Sequence, residues 1–135
     1  MNAIPPITNT ASEHHNRVYP EARLCFSNGK RFFGPGPYAL LVLVEKTSSL
    51  RDACTEMGMS YTKGWKMLRN AEEQLGLPIV HKKRGGVLGG STILTAEGKL
   101  LLEKYDAFNR ESQQLIAEVF DKHLMPLFST DARTD

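Results

Sequence analysis

Two helix starts and two helix stops fall between Ser49 and Gly76, and this spacing constrains the fold more than any other feature. Ser49-Leu50-Arg51-Asp52 fits a capping box, in which a hydroxyl accepts the third helical amide and the carboxylate reaches back. The usual partner is Glu or Gln, so Asp52 is a shorter variant. Leu50, Ala53, Cys54 and Met57 then share one helical face, and Gly58 can take the positive φ that ends a helix. Ser60 caps a second helix to about Leu75, with Tyr61, Gly64, Trp65, Leu68, Glu72 and Leu75 facing inward at spacings of three and four. Gly76 ends it and Pro78 forbids resumption. Ala53, Cys54 and Gly64 are small where the two helices must cross. A short helix, a tight turn and a second capped helix form the layout of a helix-turn-helix. Its second helix fits the DNA major groove, which is ~12 Å wide.

Charge sharpens that reading. The chain carries 17 basic and 15 acidic residues, a net +2 that says little by itself. Between residues 60 and 84, however, six basic residues (Lys63, Lys66, Arg69, Lys82, Lys83, Arg84) face two acidic ones, Glu72 and Glu73. The outward side of the second helix shows Thr62, Lys63, Lys66, Met67, Arg69 and Asn70, with no carboxylate before Glu72. Such a sided distribution suits phosphate neutralisation. A hairpin follows directly: Ile79 to Lys83, a glycine-rich tip from Arg84 to Ser91, and Thr92 to Leu94. This predicts a wing, with Lys82, Lys83 and Arg84 acting on phosphates and Gly85 and Gly86 removing side chains that would block close approach. Gly85 and Gly90 have P-loop spacing, but Ser91 stands where Lys is required and an extended segment follows, so nucleotide binding is disfavoured. Trp65, on the inward face, is expected in the core.

The flanks complete the architecture. Residues 1–20, with Pro5, Pro6 and Pro20, show no helix or strand period and are expected to be a tail. Ala22 to Phe33 predicts a hairpin turning at Asn28-Gly29, a type I′ signal. Helical spacing then predicts a first helix over about 37–46. Thr95 caps a last helix, with Glu97 in its first turn, extending to about His123 or Leu124. Leu101, Tyr105, Phe108, Leu115 and Val119 form a stripe on it, interrupted once by Ser112. So long a stripe exceeds what a small core can cover, and the expected partner is the same helix of a second subunit. The domain plan is a tail over 1–20, a DNA-binding domain over 21–95, a dimerisation helix over 96–125 and a tail over 126–135.

Other classes are poorly supported. The longest apolar run, Ala39 to Val44, has six residues, far short of the ~20 of a membrane span. The start lacks the basic and apolar regions of a secretory signal. Cys25 and Cys54 form no CxxC and fit a reducing cytoplasm without disulfides. His14-His15 in a polar tail are weak metal ligands, and His81 and His123 have no partner at metal-ligand or triad spacing, so neither metal, cofactor nor catalysis is expected.

Three stretches together resemble a known family. They are Ser48 to Trp65 (SSLRDACTEMGMSYTKGW), Glu72 to Val80 (EEQLGLPIV), and the glycine-rich run from Gly85 that ends in Leu94-Thr95-Ala96-Glu97-Gly98. They resemble the N-terminal DNA-binding domain of the ModE family, molybdate-responsive bacterial regulators related in this domain to LysR-type winged helices. The resemblance covers about residues 22–124. It implies a winged helix, a dimer through terminal helices, a recognition turn on Ser60, Tyr61, Thr62, Lys63 and Lys66, and a wing over 82–90. Full regulators continue into molybdate-binding barrels. This chain stops at Asp135, and so resembles the short members with the DNA-binding domain alone; no effector is assigned. The expected fold class is therefore mainly α with small β, a winged helix-turn-helix with an N-terminal β-hairpin and a long C-terminal dimerisation helix. The expected function is a cytoplasmic, homodimeric transcriptional regulator that reads a palindromic double-stranded operator. The alternative is a winged-helix protein-interaction module whose basic face is merely solvated.

Overall fold

A computed structural model describes residues 17–84 and 90–128 and shows a small, mainly helical α+β fold. Its central helix, α1 (Pro35–Thr47), is apolar on nearly every side: Tyr38, Ala39, Leu40, Leu41, Leu43 and Val44 are all buried. Its prolines, Pro35 and Pro37, fall in the first turn, where a missing N–H costs nothing. The first intrahelical bond runs from the Tyr38 amide to the Gly34 carbonyl at 3.0 Å, so the helix begins two residues before the sequence-based start at 37.

Around α1 lie α2 (Leu50–Met57) and α3 (Tyr61–Leu75), each opened by its serine. Ser49 Oγ accepts the Asp52 amide at 3.0 Å, and Ser60 Oγ accepts the Lys63 amide at 3.1 Å. Gly58 and Gly76 end them in the left-handed region, at φ 72° and 71°. The two helices cross closely at Gly64, where an added Cβ would fall 2.3 Å from Cys54 Sγ. Strands β3 (Val80–Lys83) and β4 (Ser91–Leu94) then pair antiparallel, from Val80 opposite Leu94 to Lys83 opposite Ser91. Glu72 fixes where this hairpin leaves α3: its Oε2 accepts the Ile79 amide at 2.8 Å and the Val80 amide at 3.2 Å. A half-buried carboxylate in α3 is thus a bracket for the next strand.

Helix α4 (Ala96–His123) is 28 residues long, about 42 Å at 1.5 Å per residue. Thr95 Oγ1 caps it, accepting the Gly98 amide at 2.9 Å and donating to the Pro78 carbonyl at 2.6 Å. Only its first half joins the core, burying Gly98, Leu102, Tyr105 and Asn109. A short helix, α5 (Met125–Phe128), follows, with the Phe128 ring stacked on Phe120 at 6.2 Å. Helix therefore continues past Pro126, where the sequence suggested a tail. Among the described residues no helix is long and apolar enough to cross a membrane.

The first hairpin departs from expectation. Strands β1 (Phe26–Ser27) and β2 (Arg31–Phe33) are joined by three residues, not by a two-residue type I′ turn. That turn needs positive φ at both central positions; Gly29 has it, at 83°, and Asn28 does not. The Asn28 side chain instead donates to Gln74 Oε1 on α3 at 2.9 Å. Behind the hairpin, Phe26, Phe33 and Tyr38 surround the Tyr105 ring, at centroid distances of 5.8, 5.3 and 4.9 Å. Tyr105 is only 1% exposed. Burial pushes its phenol up to about 12, so it stays neutral and donates to the Leu24 carbonyl at 2.9 Å. The sequence assigned Tyr105 to a dimer stripe; the chain's own aromatic residues cover it instead.

Candidate nucleic-acid interface

Because α3 buries Gly64, Leu68 and Ala71, its opposite side must face solvent at 100° per residue. Thr62, Lys63, Lys66, Arg69 and Asn70 are all exposed there, as is the capping Ser60. Lys82, Lys83 and Arg84 are also exposed, on β3 and just beyond it. The sequence-predicted basic residues thus share the α3–β3 region. Gly85 and Gly86 lie outside the described residues.

The cations are arranged around two rings. Tyr61 and Trp65 are half-buried, one turn apart on the edge of α3 nearest β3. The Lys82 ammonium lies 5.1 Å from the Tyr61 centroid and 4.6 Å from the Trp65 centroid, and it donates to the Tyr61 hydroxyl. Arg51 of α2 covers Tyr61 at 5.1 Å, and Arg69 covers Trp65 at 5.6 Å. Each distance is within reach of a cation–π attraction. The order Arg51, Tyr61, Lys82, Trp65, Arg69 ties α2, α3 and the β3–β4 hairpin together at one surface.

Two points were not legible in the sequence. Trp65 is partly buried against the core, as its inward position suggests, yet its ring also carries two cations. Arg51 gave no signal, because nothing in its own helix points to Tyr61. Lys82, expected to act on phosphate, already has an intramolecular partner, whereas no hydrogen bond or ring contact engages Lys63, Lys66, Lys83 or Arg84 side chains among the described residues.

On the dimer stripe, Leu101 packs partly against the core, while Phe108, Leu115 and Val119 are 49%, 61% and 56% exposed. The stripe therefore divides: its start belongs to the chain's core, and Leu115 and Val119 in its distal part are mostly exposed among the described residues. Among the described residues no group of three or more His, Cys, Asp or Glu could hold a metal ion.

No family model matches the chain. Curated relatives do. The molybdenum-pterin-binding protein MopB of Rhodobacter capsulatus is 33% identical over 86 residues, which is 64% of this chain and 32% of that protein. The DNA-binding transcriptional dual regulator ModE of Escherichia coli K12 is 26% identical over 100 residues, 74% of this chain and 38% of the regulator. The transcriptional regulator ModE of Haemophilus influenzae is 28% identical over 98 residues, covering 73% and 38%. The chain is a distant homologue of these proteins. It spans about a third of their length. Their names speak of binding and regulation, not of catalysis.

Proposed function

We propose that this chain is a DNA-binding transcriptional regulator. In this reading α2 and α3 are a helix-turn-helix, α3 enters the major groove, and β3–β4 is a wing along the phosphates. The observation that carries it is the exposed, carboxylate-free face of α3 running from Thr62 to Asn70 beside the cations of β3. Similarity to ModE regulators supports it. The contacts are assigned to Ser60, Tyr61, Thr62, Lys63, Lys66 and Arg69 on α3, and to Lys83, Arg84, Gly85 and Gly86 on the wing, while Lys82, expected from the sequence to join them, holds the wing against Tyr61 and Trp65. The active species is a homodimer joined through Leu101, Phe108, Leu115 and Val119 of α4, and a palindromic operator matches its two-fold symmetry.

Titration of duplex DNA against salt tests the function. A DNA binder shows a slope of ~0.9 per phosphate neutralised; a flat response would leave only a protein-interaction module. Once a specific site has been selected from a random pool, Lys63→Ala and Lys66→Ala are expected to weaken binding to it by ~1–3 kcal/mol, the range for a base-reading side chain. If both folded variants bind like wild type, α3 is not the reader.

The cation–ring stack separates Lys82 from its neighbours. Lys83→Ala should reduce the salt slope by about one, as loss of one phosphate contact does. Lys82→Met should leave the slope nearly unchanged and weaken the specific site more than random DNA, because it frees the wing from α3. Equal loss of slope in the two variants would return Lys82 to the phosphates.

A further inference from the structure

We infer that a second phosphodiester site lies in the groove between the tip of the β1–β2 hairpin and the C-terminal half of α3, and that it takes the DNA backbone on the flank of α3 opposite the wing. The inference rests on the DNA-binding reading and extends it to a hairpin that this reading leaves unused. The groove is lined by Asn28, Gly29, Lys30 and Arg31 from the hairpin, and by Asn70 and Gln74 from α3, with Phe32 beneath. Its polar side chains are two cations and three carboxamides, with no carboxylate. Among the described residues neither Lys30 nor Arg31 forms an ion pair, so their charge is uncompensated there. The tip is not loosely placed: the Asn28–Gln74 hydrogen bond, at 2.9 Å, fastens it to α3. Nothing lies within 4 Å of where a Gly29 side chain would start, which leaves the tip open to a close approach.

The position matters as much as the composition. Trp65 meets Lys82 of the wing, and Gln74 meets the first hairpin. Nine residues at 100° each place these two side chains about 180° apart around the helix axis. The exposed row of Lys66 and Asn70 runs between them. A helix lying in a groove is bordered by two phosphate strands, and contacts to both fix its register. Here each flank of α3 carries a hairpin, and each hairpin presents cations.

The test uses the full chain and a duplex of random sequence. The double variant Lys30→Gln/Arg31→Gln removes two charges from exposed positions and leaves Phe26, Phe32 and Phe33 in place. It is expected to lower the slope of log affinity against log salt by about one to two, at ~0.9 per lost phosphate. The charge-retaining pair Lys30→Arg/Arg31→Lys should restore the wild-type slope, which a merely structural role would not require. If wild type binds with a steep slope and the Gln pair matches it, the second site is wrong and the DNA-binding reading stands. If the charge-retaining pair loses as much slope as the Gln pair, charge is not the cause and the site is again wrong. If wild type shows no salt-dependent binding, both fall.

Discussion

Gly98→Ala is expected to lower the melting temperature by roughly 10 °C. Gly98 lies in the first turn of α4, buried, where that turn crosses the entry to β3. An added Cβ would sit 2.2 Å from the Ile79 carbonyl oxygen and 3.1 Å from its carbonyl carbon. These are backbone atoms, so no rotamer change can clear the space. The Ile79 carbonyl is held as well, since it accepts the Thr95 amide at 3.1 Å. Overpacking a core typically costs about 1–3 kcal/mol and occasionally more; a fixed backbone neighbour places Gly98 at the upper end. At about 3–4 °C per kcal/mol for a domain of this size, the shift follows. Thermal unfolding followed by circular dichroism measures it. A melting temperature within 2–3 °C of wild type, by the same scale, would mean that α4 can slide away from β3 at little cost.

Leu115→Asp should leave the single chain folded and abolish the proposed dimer. Leu115 is 61% exposed, so within one chain the change replaces one solvated side chain by another. In a symmetric α4 seam it would place a carboxylate on each subunit without a partner. Truncating a buried leucine typically costs ~2–5 kcal/mol, and an unpaired buried charge costs more. The variant should sediment as a monomer with an unchanged circular dichroism spectrum. It should lose most of its affinity for a two-half-site operator, whose halves lie ~34 Å apart. An unchanged dimer mass, or a wild type that is itself monomeric at micromolar concentration, would remove the distal half of α4 from the mechanism.

Which features were legible in the chain depends on their range. Ser49, Ser60 and Thr95 announce helix starts because each hydroxyl bonds an amide three residues on. Gly58 and Gly76 announce stops because each needs only its own φ. The glycine that closes the Leu94-Thr95-Ala96-Glu97-Gly98 run was visible as a pattern, but its cause, the Ile79 carbonyl, is 19 positions away. Tyr105 shows the same limit. Its spacing from Leu101 and Phe108 is helical whichever surface covers it, and the covering Phe26 and Phe33 come from far upstream. Nor does local sequence say that Glu72 will bracket Ile79 and Val80, because helical position alone marks it as an inward carboxylate. At the interface, the exposed row of α3 followed from periodicity. The partners of Lys82 did not, since Tyr61 is 21 positions earlier.

Trp65 is the only tryptophan in the chain, and it sits half-buried beneath Lys82 and Arg69 on the proposed interface. The molecule therefore carries its own optical probe at the junction of α3 and the wing. Indole emission responds to nearby charge and to water, so displacement of either cation registers directly, with no label attached. Since α1, α4 and both hairpins lack indole, that signal reports this junction alone.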